Sequence, residues 1–145
     1  MGRFATGVTV ITVARGPDQV HGMTANSFAS VSLDPMLVLV CVGRNAQSLT
    51  LLRAQKRFGV NILSEDQRSL SEYFARTEQN QKMEFDRTPQ GTPLLKGCLA
   101  RLECRVVAAH EAGDHTIFVG QVDSLQMGEG RPLLFYGGEY KKLRE

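Results

Sequence analysis

The stretch "LARLECRVVAAHEAGDHTIFVGQVDSLQ", residues 99–126, decides the fold. Its first half sets Arg101, Glu103 and Arg105 against Leu102, Cys104 and Val106. That two-residue period places charged side chains on one face of a strand and apolar ones on the other. The "AGD" of 112–114 is turn chemistry, and "HTIFVGQVDSLQ" then resumes as a strand. Antiparallel strands with one solvated face produce this alternation.

Working outward, "PLLFYGGEY" (132–140) closes the meander. Toward the N-terminus, "VTVITVA" (8–14) is β-branched and extended in character, and residues 22–32 have room for a second strand. "MLVLVCVG" (36–43) is apolar without interruption, which predicts a central strand covered on both faces. Helical spacing enters in two places. "SLTLLRAQK" (48–56) sets Leu49, Leu52 and the Lys56 stem on one side, with Ser48 as the expected N-cap. "FGVNIL" (58–63) returns to strand, and "SEDQRSLSEYFART" (64–77) is the clearest helix. There Ser64 and Gln67 form a capping-box pair, and Leu70, Tyr73 and Phe74 make the inward stripe. Residues 78–98 read as mostly loop. Six or seven strands and two short helices predict a mainly β protein, a small antiparallel β-barrel with helical insertions.

A length of 145 residues fits one domain with a core of its own. The net charge is only +2 and the basic residues are scattered. No basic groove with interleaved aromatics exists for nucleic acid. Cys41, Cys98 and Cys104 have neither CxxC spacing nor a histidine at ligand distance, so no metal site or disulfide framework is expected. Cys41 and Cys104 sit inside strand patterns as buried, inert thiols, and the odd count fits a reducing, cytoplasmic setting. "MGRFAT" matches the myristoylation pattern, but a core strand follows at once and the match reads as chance. No run approaches the ~18 apolar residues of a membrane span.

Three segments carry chemistry. "HGMTANSFASVSLDP" (21–35) offers neutral donors and acceptors from Asn26, Ser27, Ser30 and Ser32, with Gly22 and Ala25 allowing close approach. Such groups suit a flat ring system, but on its own the segment reads first as a polar connection with local turn bonding. "CVGRNAQSLTLL" (41–52) ends a strand at Gly43 and opens a helix at Ser48, an arrangement that binds anions or simply caps a helix. Arg44 lies just upstream, and Lys56 and Arg57 at the far end could return to the same side. "GDHTIFVG" (113–120) starts a strand at His115, facing either the barrel mouth or solvent. His21 and His110 have weaker claims.

Taken in order, "FATGVTVITV", "GMTANSFASVSLDPMLVLVCVGRNAQS", "FGVNILSEDQRSLSEYFA", "GDHTIFVGQV" and "PLLFYGGEY" resemble the flavin reductase-like family with the FMN-binding split barrel, from about Arg3 to Leu143. The resemblance implies a reductase component of a two-component flavin monooxygenase. Such a protein passes a hydride from NADH or NADPH to FMN or FAD and supplies reduced flavin to a partner monooxygenase. It implies that Thr24, Ala25, Asn26 and Ser27 line the isoalloxazine ring, with Ser30 and Ser32 continuing that wall. It implies that Ser48, preceded by Gly43, Arg44 and Asn45, holds the phosphate end, with Lys56 and Arg57 nearby. His115 is implied on the nicotinamide side, Tyr136 and Tyr140 shaping that pocket, and Phe85, Asp86 and Arg87 covering the flavin. A homodimer is implied, because the family builds its sites at a shared interface. The absence of a clustered arginine pair for a 2′-phosphate favours NADH. A non-catalytic FMN carrier or sensor of the same fold is the alternative. The family usually has several more residues, often helical, before the "FATGV" strand, and the expectation is a chain trimmed at its start.

Overall fold

The computed structural model describes residues 1–145. In chain order it contains β1 (Thr6–Gly7), β2 (Thr9–Ala14), β3 (Val20–Ala25), β4 (Phe28–Leu33) and β5 (Met36–Gly43), then α1 (Gln47–Gln55) and β6 (Arg57–Ile62). A 3-10 turn (Glu65–Gln67) leads into α2 (Arg68–Phe74), followed by the short β7 (Asp86–Arg87) and β8 (Pro93–Leu94). The long β9 (Ala100–Ala112) and β10 (His115–Met127) precede β11 (Leu133–Tyr136) and β12 (Glu139–Lys142).

The β9–β10 hairpin is the spine. Ala112 pairs with His115 across a two-residue loop. Gly113 takes φ +64° at the first loop position, where a hairpin turn of this length demands glycine. Two register shifts interrupt the hairpin: Val107 is the extra residue on β9, opposite Val119 and Gly120, and Asp123 is the extra residue on β10, between Val122 and Ser124. The second turns Asp123 toward Arg57, 2.8 Å away.

Seven strands form the main antiparallel sheet in the order β3-β2-β6-β9-β10-β5-β4. Its two outermost strands, β3 and β4, are consecutive in the chain and joined only by Asn26 and Ser27. A connection that short brings the sheet's two edges together, so the sheet curls into a barrel split between β3 and β4. The expected single strand over 22–32 is therefore two. Ser27 makes the corner: its hydroxyl donates to the Cys41 carbonyl at 3.0 Å, and the Cys41 N–H donates to the Ser27 carbonyl at 3.1 Å.

Ile11, Val13, Val40, Val42, Leu52, Phe58, Val60, Leu102, Cys104 and Phe118 fill the barrel. A second cluster, with Val8, Val10, Leu63, Tyr73, Phe74 and Leu133, packs α2 and the C-terminal strands against the outside. β5 lies inside the sheet, between β10 and β4, yet only Val38, Val40 and Val42 are buried. Its outer face has no covering element, which corrects the expectation of a doubly covered strand.

The capping box is present: Gln67 Oε1 accepts the Ser64 N–H at 3.1 Å. The helix it opens is shorter than expected, ending at Phe74. Ser48 is not an N-cap. Ala46 holds that position without a side-chain hydrogen bond, and Ser48 lies within the first turn, buried.

Candidate active site

β4 pairs with β5 only from Met36 to Val40. The last three residues of β5, Cys41–Gly43, therefore look across the split at β3, and a groove follows the free edge of β3. Its outer part is a cavity of about 360 Å³, lined by Thr24, Ala25, Asn26, Ser27, Cys41, Gly43 and His115. Ser71 and Ala75 from the α2 side and Phe135 and Tyr140 from the C-terminal hairpin complete it. Its inner part is a cavity of about 270 Å³ between α1 and residues 74–79, lined by His21, Asn45, Gln47, Ser48, Arg76 and Gln79 among others. Met23, Thr24 and Ala75 line both, so the two cavities adjoin along β3 and α2.

Local chemistry explains the groove. A Cβ on Gly22 would overlap the Phe74 ring, so only glycine lets α2 sit this close to β3. Gln79 then clamps the strand edge, donating to the Gly22 carbonyl at 2.6 Å and accepting the Gly22 N–H at 3.1 Å. Thr24 Oγ1 donates to the Ser71 carbonyl at 2.6 Å, and Ser71 Oγ and Tyr140 OH share a hydrogen bond of 2.7 Å. The Arg68 guanidinium sits 4.9 Å from the centre of the Tyr140 ring, fixing its plane.

His115 starts β10 opposite Gly43, and a Cβ on Gly43 would lie 3.8 Å from His115 Nε2. The Asp114 carboxylate lies 2.7 Å from His115 Nδ1. A carboxylate can only accept, so Nδ1 carries the hydrogen and Nε2 of the neutral ring is an acceptor. The hydrogen bond from His115 is the main cause that holds the Asp114 carboxyl below its usual range, with the Arg44 charge a smaller one. In the inner cavity His21 Nε2 lies 3.0 Å from Ser48 Oγ, and both residues are buried. Burial, reinforced by the nearby Arg15 charge, lowers the His21 pKa from its ordinary 6.5.

Below pH 6.5 the unfolded chain takes up a proton at His21 that the folded protein refuses. This contribution to stability is complete above pH 6.5 and is lost as pH falls below it. Thermal unfolding of the ligand-free protein is expected to show a melting temperature that falls with acidification through this range, and less so in His21→Gln. Equal slopes for the two proteins would contradict it.

The structure brings together Thr24, Ala25, Asn26, Ser27, Gly43, Asn45, Ser48, His115 and Tyr140. Several other expected residues lie elsewhere. Ser30 and Ser32 are on the edge strand β4, on either side of a bulge, and line neither cavity. Arg44 is exposed beside Asp114, its N–H bonded to the Asp114 carbonyl at 2.9 Å. Lys56 ends α1 with φ +58° and is exposed, while Arg57 is held by Glu103 at 3.3 Å and Asp123 at 2.8 Å. Tyr136 points away from the groove and meets Arg3 at 3.5 Å; its neighbour Phe135 lines the cavity instead. Phe85 and Arg87 line a separate large cavity with Arg15 and Lys82, which meets the groove only at Gln79. Asp86 is paired with Arg101 and Lys96.

Sequence reasoning missed Ser71, Phe135, Gln47, Arg76 and Gln79, and undervalued His21 and Cys41. Cys41 is not a buried thiol, since it is partly exposed in the outer cavity. Cys104 is one: burial inside the barrel is the main cause that pushes its thiol up to about 12.

The groove runs along the split of a β-barrel, the architecture that this chain shares with flavin reductases of known structure. The chain belongs to the flavin reductase like domain family, whose profile matches residues 1–144. It is 46% identical over 145 residues to an NADH-dependent flavin reductase of Rhodococcus sp, covering 99% of this chain and 82% of the relative. It is 44% identical over 141 residues to an FMN reductase (NADH) of Agrobacterium fabrum, covering 97% and 80%. The solved styrene monooxygenase flavin reductase of Pseudomonas putida is similar at a TM-score of 0.92 and 35% identity, covering 99% of this chain and 95% of that one.

Proposed function

We propose that the protein is an NADH-dependent flavin reductase that binds FMN or FAD in the groove and releases the reduced flavin to a partner flavin-dependent monooxygenase. The observation that carries this is the outer cavity, where His115 faces the Thr24–Ser27 wall beside a side-chain-free Gly43. Bound there, the flavin would supply the hydride acceptor and the nicotinamide the donor.

The chain's own residues do the positioning. Thr24 and Ser27 spend their hydroxyls inside the protein, which leaves Asn26 and backbone groups at the corner to meet the ring's carbonyls and nitrogens. Gly43 puts no side chain against His115, where a Cβ would be in contact with Nε2 at 3.8 Å, so the nicotinamide side of the cavity stays open. His115 Nε2, an acceptor, takes a hydrogen bond from the nicotinamide carboxamide; Asp114 fixes the ring that offers it. Phe135 and Tyr140 close the far side and exclude water. Asn45 and Ser48 hold the flavin's phosphate.

The protein acts as one domain and, we infer, as a homodimer. Leu33 is 86% exposed and Met36 42% on adjoining strands, an apolar face that a second copy would cover. No helix is long and apolar enough to cross a membrane. Three free thiols fit a cytoplasmic location.

The test is the loss of NADH absorbance with purified protein, with and without added FMN or FAD. Turnover that requires flavin and exceeds the protein-free control is expected. Flavin binding with no NADH or NADPH consumption would leave a carrier.

A further inference from the structure

His21 sits at the floor of the inner cavity, and the reductase reading leaves it without a task. Its ring is buried against the equally buried Ser48, with Nε2 3.0 Å from Ser48 Oγ. The charge that acts on it is that of Arg15, and the one charged side chain that lines the cavity is Arg76. Arg15, at the exit of β2, donates to Gln47 Oε1 at 2.6 Å, and Arg76 lines the opposite wall. No carboxylate lines this cavity. α1 opens onto it with no side-chain cap, so its first-turn N–H groups have no side-chain acceptor there.

We propose that the inner cavity is a proton-coupled phosphate site, in which His21 takes a proton from solvent when the flavin's phosphate enters and becomes part of the binding charge. This rests on the flavin-binding reading above and deepens it.

The driving force is a change of sign. In the free protein the imidazole is desolvated beside the Arg15 charge, and its neutral form is favoured. A phosphate held by Asn45, Ser48 and Arg76 places negative charge within a few ångströms and favours the imidazolium. Both nitrogens of the imidazolium donate. Nε2–H then points at Ser48 Oγ, and the hydroxyl's own hydrogen turns toward the phosphate. Ligand and proton each strengthen the binding of the other by the same factor.

The coupling reads out as pH-dependent affinity. FMN is a poor probe, because its phosphate itself titrates near pH 6. FAD is the better one, since its diphosphate holds its charge around neutrality, and riboflavin is the control without phosphate. Dissociation constants for both would be measured between about pH 8 and about pH 6, where histidine titrates. Calorimetry in two buffers of different ionisation heat would count the protons taken up.

FAD affinity is expected to rise toward low pH, at most about tenfold per pH unit for one proton, with proton uptake on binding. Riboflavin affinity should stay flat with no uptake. His21→Gln should flatten the FAD curve and leave riboflavin binding intact. The wild-type proton count stands without the variant, should that fail to fold. PH-independent FAD binding without uptake, or a pH dependence retained in His21→Gln, would overturn the proposal. Failure to bind either flavin would overturn the functional reading and this one with it.

Discussion

Replacing His115 with alanine is expected to lower kcat/KM for NADH by roughly 10- to 100-fold while changing the flavin dissociation constant by no more than about twofold. The asymmetry follows from where the residue stands. Its ring is half-exposed at the mouth of the outer cavity, opposite Gly43, whereas the Thr24–Ser27 wall and the inner cavity are formed without it. Loss of one positioning contact lets the nicotinamide wander, and a misplacement of about 1 Å is enough for a hundredfold loss. Asp114→Asn should give the same signature in weaker form, because the amide holds the ring less firmly than the carboxylate at 2.7 Å. Steady-state kinetics on NADH and a flavin titration check both arms. A variant that loses flavin affinity instead would move His115 to the flavin wall.

The largest expected effect on stability comes from Asn61, which is fully buried in β6. Its amide donates to the Val10 carbonyl at 2.9 Å and to Thr12 Oγ1 at 3.0 Å, and its carbonyl accepts the Leu95 N–H at 2.8 Å. One side chain thus joins β6, the neighbouring β2 and the loop that follows β8. Asn61→Leu keeps the branching and the number of side-chain heavy atoms and removes all three bonds. It orphans a buried Leu95 N–H, at about 1–3 kcal/mol for such a group, and the other two losses add to it. A total near 3 kcal/mol lowers the melting temperature by about 10 °C in a chain of this size. Thermal unfolding followed by circular dichroism measures it. A shift of only a degree or two would mean that the loop is not anchored here.

How far the sequence carried this can be judged residue by residue. The alternation over 99–126 identified the hairpin, and Ser64 and Gln67 identified a helix start, because each signal is local and has a fixed period or spacing. Glu103 shows where locality ends. Its position in the alternation is right, yet it is only 3% exposed, because residues 86–94 fold over that face and Arg57 and Thr88 bond to it. No periodicity announces which loop covers which strand. The same contact explains why Arg57 is not in the groove, since its charge is committed to Glu103 and Asp123.

The site was legible as a cluster and not as a geometry. Thr24, Asn26 and Ser27 do line the cavity, but the threonine and serine hydroxyls bond to Ser71 and Cys41, partners that only the fold brings near. The exchange of Tyr136 for Phe135 is a matter of parity. In a four-residue strand, a one-residue step in register reverses which side chains face inward, and the pairing of Phe135 with Tyr140 settles it. Ser48 was noticed as a cap and works as the partner of His21, a residue 27 positions away.

The most direct test of the central claim is anaerobic mixing of the flavin-loaded protein with NADH, following the absorbance of the bound flavin. Complete bleaching of the flavin is expected, faster than for free flavin under the same conditions and slowed in His115→Ala. Flavin that stays bound and oxidised in excess NADH and NADPH would contradict it.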